Sequence, residues 1–218
     1  MVSVRATGSG DWALVRDVRL AALRDAPDAF ASTYEREAAY TEEQWRGWFS
    51  DRFAMFLAHL QDRAEPAGLA GVFDAGDGAG LVSMWVRPDA RGRGVGEALM
   101  NAAAGWAKDR GHDAMYLWVA EANEPARRLY ERYGFTPTGD RQPLPSNPGV
   151  PEIRMRLGLL LRSSTPWPGS APRVLTGRRF LLLSVLHEES ASLTGVLGTR
   201  SIFAGLHRLL PVPSTRYA

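Results

Sequence analysis

The chain has 218 residues, 45% of them hydrophobic, which is enough to bury one substantial core with a small appendage. It contains no cysteine, and this excludes disulfides, thiolate metal sites and a cysteine nucleophile. Residues 1–157 carry 19 Lys and Arg against 22 Asp and Glu, so the basic excess of the chain lies in residues 158–218. An acidic main body argues against a nucleic-acid-binding module.

The sequence has no run of about 18 apolar residues, the length that crosses a bilayer. Its first residues, MVSVRATGSGDW, lack the apolar centre of a signal peptide. We therefore expect a cytoplasmic protein with neither a membrane nor a nucleic acid as partner. A monomer and a homodimer both remain open.

The first half of the chain alternates between strand-like and helical patterns. Asp11 can cap a helix whose apolar positions follow the 3.6-residue period, and Thr41 opens a capping box with Gln44. Residues 26–40 form a loop or a broken helix between these two helices. The predicted strands of this half, the last three forming an antiparallel meander, are 2–5, 53–60, 67–75 and 80–88.

The second half alternates between helices and strands. Residues 94–110 are helical and end at Gly111, with an apolar stripe formed by Val95, Ala98, Leu99, Ala102 and Trp106. A buried strand follows at 114–120 and a helix at 123–133. Two further strands come next, one after Gly134-Phe135 and one at 152–157. The sheet is therefore predicted to change from antiparallel to parallel, in an α/β domain spanning 1–157. The rest, 158–218, is a Pro/Ser/Leu-rich basic extension, either disordered or partly helical.

Six residues between the last meander strand and the following helix, Arg91-Gly92-Arg93-Gly94-Val95-Gly96, form what we call the glycine loop. Backbone N–H groups at a helix start converge on one concavity, and the helix dipole adds partial positive charge there. The glycines let the backbone approach an anion, and the two arginines can pair with further phosphate oxygens. The loop therefore predicts a phosphate-binding site.

Two better-known phosphate loops do not fit this segment. A dinucleotide fingerprint would need glycine at 97 or 99, where the chain has Glu97 and Leu99. A Walker loop needs a lysine at its end, and Lys108 lies at the far end of the helix. From the loop alone, an RNA-contacting basic patch and a tight turn with solvated arginines also stay open.

A second segment, residues 118–135, places an amide and a phenol in register on one helix. Asn123 is a good N-cap, and Tyr130 lies seven residues later, two helical turns along the same face. Both lie beyond the carboxyl end of the strand 114–120. The alternative is that Tyr130 and its apolar neighbours belong only to the core.

Together the two segments resemble the GNAT superfamily of acetyl-CoA-dependent N-acetyltransferases. The resemblance rests on Val86-x-Pro88-x-x-Arg91-Gly92-x-Gly94-x-Gly96, then Asn123-x-x-Ala126-x-x-Leu129-Tyr130-x-x-x-Gly134-Phe135. It spans residues 1 to about 157, with one helix and one strand between the two motifs. It implies an α/β (α+β) fold with a mixed sheet, in which an antiparallel N-terminal meander passes into splayed parallel strands flanked by helices.

The resemblance also implies a role for each site residue. In GNAT-like proteins the pantetheine arm of acetyl-CoA enters between the two parallel strands and bonds to the backbone of the first, here Met84, Trp85 and Val86. The pyrophosphate would bind the N–H groups of Arg91, Gly92, Arg93, Gly94, Val95 and Gly96. Asn123 would bind the pantetheine, while Tyr130 would contact the co-substrate and protonate the departing thiolate. An amine would then attack the thioester directly, with no metal and no covalent enzyme intermediate.

The acceptor and the general base stay open. The acceptor is a primary amine of a small molecule or of a protein or peptide N-terminus, in a pocket that could be lined by Tyr34, Tyr40, Trp45 and Trp48. The helical spacing of the two tryptophans favours a place in the core instead. Many relatives carry a carboxylate where this chain has Gly80, so Glu35, Glu37 or a water chain are the candidate bases, and His59 is more readily structural. A chain that kept the co-substrate site without a base would be a non-catalytic acyl-CoA-binding regulatory protein.

Overall fold

A computed structural model describes residues 1–159, so the extension predicted at 158–218 lies almost wholly outside the described residues. These residues form one seven-stranded mixed sheet with helices on both faces. The strands are β1 (Val2–Ala6), β2 (Phe53–Leu60), β3 (Pro66–Asp74), β4 (Ala79–Val86), β5 (Ala114–Ala120), β6 (Thr136–Leu144) and β7 (Asn147–Gly158). The helices are α1 (Trp12–Asp25), α2 (Tyr34–Ala38), α3 (Glu42–Arg46), α4 (Val95–Asp109) and α5 (Glu124–Tyr133), and none of them is long and apolar enough to span a bilayer.

The strands lie in the order β1-β2-β3-β4-β5-β7-β6. The first four are antiparallel neighbours, and β4 and β5 are parallel, which confirms the predicted fold class. The parallel pairing does not continue beyond β5, contrary to the sequence prediction. The reason is that β6 and β7 form a hairpin. Its second strand, β7, lies between β5 and β6 and is antiparallel to both.

One face of the sheet is covered by α4 and α5. The residues that α4 buries are Val95, Gly96, Leu99, Met100, Ala103, Ala104 and Ala107. The predicted stripe was partly wrong, since Ala98, Ala102 and Trp106 are only half-buried at its edge. Ala103, Ala104 and Ala107 are small and let the helix approach the sheet closely. The bulky Trp106 ring lies at the edge of this contact, against Arg110.

The other face is covered by α1 to α3. Asp11 precedes α1 as predicted, but its carboxylate binds Arg5 at 2.8 Å and accepts from the Gly8 N–H, so it does not cap α1. The predicted capping box of Thr41 and Gln44 is present at the start of α3. Helix α3 ends at Arg46, so Trp48 and Phe49 come after the helix and do not form a face of it together with Trp45.

A buried ion pair joins α1 to α2. Arg19 donates from Nε and Nη2 to the two carboxylate oxygens of Glu37, at 2.8 and 2.7 Å. The guanidinium also lies 4.5 Å from the Phe30 ring centre, and its Nη1 is 3.4 Å from Ser83 Oγ on β4. The bidentate geometry satisfies both partners in a place that excludes water, so the pair holds the two helices over β4.

Gly80, at the start of β4, is required by packing. A Cβ at this position would lie 2.3 Å from Cε1 of Phe73, whose ring lies across the glycine from the neighbouring strand. Gly105 in α4 is the opposite case, because nothing lies within 4 Å of the place where its Cβ would be.

Gly80→Ala should lower the free energy of unfolding by about 1–3 kcal/mol, because the added methyl overlaps the Phe73 ring. Gly105→Ala, the same change in open space within a helix, should raise it by about 1 kcal/mol. Urea denaturation measures both values. Equal effects of the two substitutions would contradict the packing described for Gly80.

Glu37→Leu should lower the free energy of unfolding by about 3–5 kcal/mol, because it leaves the Arg19 guanidinium buried without its counter-ion. The double variant Arg19→Met/Glu37→Leu should regain most of that loss, since neither charge is then buried. Chemical denaturation of the two variants beside the parent chain tests the pair. A loss below about 1 kcal/mol in the single variant would show that the pair does not hold the two helices together.

Candidate active site

A gap between β4 and β5 is the main feature of the candidate site. The two strands pair only through Ala79 with Met115 and Gly80 with Tyr116, whereas β4 continues to Val86 and β5 to Ala120. On their outer sides both strands stay paired, β4 with β3 and β5 with β7. Beyond Gly80 the facing edges therefore diverge and leave backbone groups exposed between them.

A β-bulge bends β4 where it leaves β5. The register with β3 shifts between Leu69 and Gly71, so β4 carries one additional residue there. Ser83 has φ 53° and is the one described residue other than glycine with a positive φ. A left-handed serine is held against its own preference, which marks the bend as imposed by the surroundings.

The glycine loop lies at the carboxyl end of β4 and starts α4. Gly92 and Gly94 have φ of 74° and 81°, and nothing occupies the space within 4 Å of where their Cβ atoms would be. Within the described residues, no backbone carbonyl accepts a hydrogen bond from the N–H groups of residues 92–97. The loop is therefore an open concavity of unpartnered donors at a helix N-terminus, which suits an anion.

The two arginines of the loop are bound to carboxylates. Arg91 donates to the Val86 carbonyl at 3.1 Å and to Asp25 at 2.5 Å, and Arg93 binds Asp62 at 2.9 Å. The pairing of both guanidiniums with phosphate oxygens stays a prediction. Exposed pairs with carboxylates contribute little to stability, so an incoming anion can compete for the arginines.

Gly96 is where three elements meet beside the gap. A Cβ there would lie 3.0 Å from Leu129 on α5 and 3.5 and 3.7 Å from Met84 and Val86 on β4. The backbone of α4 thus approaches α5 and β4 closely. The structure brings together the glycine loop, the predicted strand residues and the helix that carries Tyr130.

Asn123 and Tyr130 lie on the segment after β5, as predicted. The Asn123 side chain accepts from the Ala126 N–H at 3.2 Å and caps α5. Tyr130 is 7% exposed, and its ring packs edge-on against Phe135 with centroids 5.7 Å apart. Burial raises the pKa of the Tyr130 phenol above its ordinary value, so the hydroxyl keeps its proton at neutral pH.

A groove of about 450 Å³ opens on the α1 side of the sheet, between the end of α1, the start of α2 and the β6–β7 turn. Its lining consists of Leu23, Arg24, Pro27, Asp28, Thr33, Tyr34, Glu35, Ser146 and Asn147. Of the aromatic residues predicted for the acceptor pocket, Tyr34 is in this lining. Tyr40, Trp45 and Trp48 instead pack against one another, with centroids 5.6 and 4.8 Å apart.

The candidate bases occupy very different places. A side chain at position 80 would have to displace the Phe73 ring, and the Glu37 carboxylate is fully engaged by Arg19. These contacts argue against both positions. Glu35 is exposed at the rim of the groove. His59 lies on β2, which β3 separates from β4 and from the gap.

Sequence reasoning missed two residues near the gap. Asp25 accepts from Trp85 Nε1 at 2.8 Å and from Arg91, so it ties the end of α1 to β4 and to the glycine loop. Glu152 on β7 is 4% exposed. The alternating pattern of this segment predicted a closing strand but no buried carboxylate. No sequence signal marks Asp25, because its two partners lie 60 and 66 residues away.

Known proteins are similar to this chain in sequence and in fold. A sequence model of the Acetyltransferase (GNAT) family matches residues 20–135. The mycothiol acetyltransferase of Beutenbergia cavernae is 36% identical over 130 residues, 50% of this chain and 44% of that protein. The chain thus spans about half the length of this curated relative.

Two solved structures share the fold. The ribosomal-protein-S18-alanine N-acetyltransferase of Escherichia coli has a TM-score of 0.56 and 20% identity, covering 77% of this chain and 99% of that one. The spermidine N-acetyltransferase of Vibrio cholerae, solved with CoA and spermine, has a TM-score of 0.56 and 17% identity, covering 73% and 96%. At these identities the two structures establish the fold alone.

The family match covers more than half of the chain and includes the gap, the glycine loop, α4 and α5. The fold around these features is that of solved N-acetyltransferases. This chain belongs to the Acetyltransferase (GNAT) family.

Proposed function

We propose that this protein transfers an acetyl group from acetyl-CoA to a primary amine of a small molecule or of a protein or peptide N-terminus. The observation that carries the proposal is the gap, since β4 leaves β5 after Gly80 on the way to the glycine loop. An extended arm can lie in such a gap as an added strand, with its phosphate end at the helix N-terminus.

The glycine loop supplies the diphosphate site in this proposal. The N–H donors of residues 92–97 would bind the pyrophosphate oxygens, and the open space at Gly92 and Gly94 lets the anion reach the backbone. Arg91 and Arg93 would exchange Asp25 and Asp62 for phosphate oxygens or keep these partners beside the anion. In either case the positive charge stays next to the diphosphate.

The backbone of β4 would bind the pantetheine arm through Met84, Trp85 and Val86. Their side chains are occupied elsewhere, because Trp85 packs toward α1 while Met84 and Val86 pack toward α4. The backbone edge toward the gap is what they present to a ligand. N–H groups of the same edge would polarise the thioester carbonyl and stabilise the developing oxyanion.

The segment after β5 completes the site. The Asn123 carbonyl oxygen caps α5, so any hydrogen bond to a pantetheine carbonyl comes from its Nδ2. The Tyr130 phenol, kept neutral by burial, would give its proton to the sulfur of the departing CoA. The amine would enter from the α1 side, where the groove with Tyr34 and Glu35 opens. The names of the similar proteins include a ribosomal-protein alanine and spermidine, so both acceptor classes stay candidates.

Incubation of the full chain with acetyl-CoA and a panel of amines and peptides tests the proposal. We expect release of free CoA thiol that depends on the amine, together with an acetylated product found by mass spectrometry. Binding of acetyl-CoA without transfer to any amine would favour a non-catalytic acyl-CoA-binding protein, an alternative that the absence of a carboxylate at position 80 allows. Failure to bind acetyl-CoA at all would contradict both functions.

Tyr130→Phe should lower kcat by about 100-fold, because the thiolate then leaves without a positioned acid. The dissociation constant for acetyl-CoA should change little, since the ring and its packing are kept. Tyr133→Phe is the matched control, because that hydroxyl donates to Asn101 on α4 at 2.7 Å and has no role in the proposed transfer. If both variants keep the parent kcat in steady-state assays, Tyr130 is not the acid.

A further inference from the structure

Glu152 is a buried carboxylate without a counter-ion. Three charged side chains are buried within residues 1–159, and two of them, Arg19 and Glu37, neutralise each other. No ion pair of the described residues includes Glu152. Its carboxylate accepts one hydrogen bond within these residues, from Gln142 Nε2 at 3.1 Å. A buried charge costs stability unless it is paired, so an unpaired carboxylate at this place calls for a functional explanation.

The strand register places Glu152 beside the gap. It pairs with Ala120, the last residue of β5, and β5 is the strand that borders the gap. In the strand order β4-β5-β7, only β5 separates Glu152 from the gap.

The side chain of Glu152 faces the acceptor side of the sheet. Its neighbour Ile153 and then Met155 pack into the cluster with α4, so strand alternation directs Glu152 toward the α1 face. The groove opens on that face. The β6–β7 turn is tied there by Ser146, which donates to the carbonyl of Phe30 in the α1–α2 connection. The residues that line the groove, which do not include Glu152, therefore lie on the same side of the sheet as its side chain.

Most charged groups of the elements around Glu152 are engaged with other partners, and Arg156 on the same strand is exposed. The engaged groups are Arg154 with Asp77 and Asp140, Arg141 with Glu121, Asp28 with Asn147, and the pair of Arg19 and Glu37. Burial raises the pKa of the Glu152 carboxyl above its usual range, and the hydrogen bond from Gln142 opposes part of the rise. A carboxylate of raised pKa is a stronger base than an exposed one.

We propose that Glu152 is the general base that takes the proton of the acceptor ammonium before attack. The inference rests on the proposed acetyl transfer and supplies the base that positions 37 and 80 do not. A cationic amine is attracted to the one buried carboxylate near the gap that lacks a cation. Glu152 thus also selects acceptors that arrive as ammonium ions.

One ammonium proton passes to the Glu152 carboxylate, and the freed nitrogen lone pair attacks the thioester carbon to form the C–N bond. The C–S bond of the tetrahedral intermediate then breaks, sulfur takes the Tyr130 proton, and the amide nitrogen returns its surplus proton to the phenolate. Glu152 releases its proton to water, so ammonium and acetyl-CoA yield amide, CoA thiol and one proton.

Glu152→Gln keeps the size of the side chain and an oxygen for Gln142 but cannot take a proton. With an amine that the parent chain acetylates, kcat/KM should fall about 100-fold or more, while acetyl-CoA affinity measured by calorimetry stays unchanged. In the parent chain, kcat/KM should rise with pH through the raised pKa of Glu152, and this rise should be absent in the variant. Glu152→Asp should keep a measurable share of the activity and restore a pH-dependent rise. Glu43→Gln, the same change at an exposed site on α3, should leave the profile unaltered.

Thermal unfolding separates a catalytic from a structural role. A carboxyl of raised pKa lowers stability once the pH exceeds that pKa, so Glu152→Gln should be at least as stable as the parent above it. An inactive variant that is equally or more stable supports the base. Parent-like kcat/KM in Glu152→Gln, or a loss of activity that follows a loss of stability or of acetyl-CoA binding, overturns the inference. If the parent chain itself acetylates no amine, it is the proposed function that fails.

Discussion

Strand β4 is paired with β3 along its length but with β5 at two residues only, and the layout of the candidate site follows from this one-sided pairing. A central strand with an open edge is costly unless something else satisfies its N–H and C=O groups. The open stretch runs from Gly80 to the glycine loop, so an extended ligand anchored at the loop can provide that partner. The same gap gives a second reactant access from the α1 side of the sheet.

The helices on the α1 side hold β4 in this position. The guanidinium of Arg19, fixed by Glu37, reaches Ser83 at the bulge, while Asp25 joins Trp85 to Arg91. The residues that shape the acceptor side therefore also determine the path of β4 and the position of the glycine loop. Damage to the buried pair between α1 and α2 should be felt at the co-substrate site as well as in stability, because both depend on the bent strand.

Local signals in the sequence predicted the parts that depend on near neighbours. The capping box at Thr41 and the helix stop at Gly111 are short-range features, and the structure has them. The glycine loop was identified for the same reason, since its concavity needs only a few consecutive residues.

Features that depend on distant contacts could not be predicted in this way. The position of β7 between β5 and β6 depends on which hairpin edge meets the sheet, and the pairing of Glu37 with Arg19 joins two separate helices. Burial of Glu152 depends on how the rest of the fold packs on β7, which no pattern within the strand EIRMRL indicates. The bend of β4 at Ser83 accompanies its one-sided pairing, and this residue has no turn signal of its own.

Hydrogen exchange of the backbone amides, with and without CoA, tests most directly whether the gap and the glycine loop form one binding site. The account predicts slower exchange on CoA addition in residues 92–97 and in the part of β4 beyond Gly80, with the β1–β2 edge unchanged. Protection confined to other surfaces, or no protection at saturating CoA, would contradict the assignment of the gap as the co-substrate site.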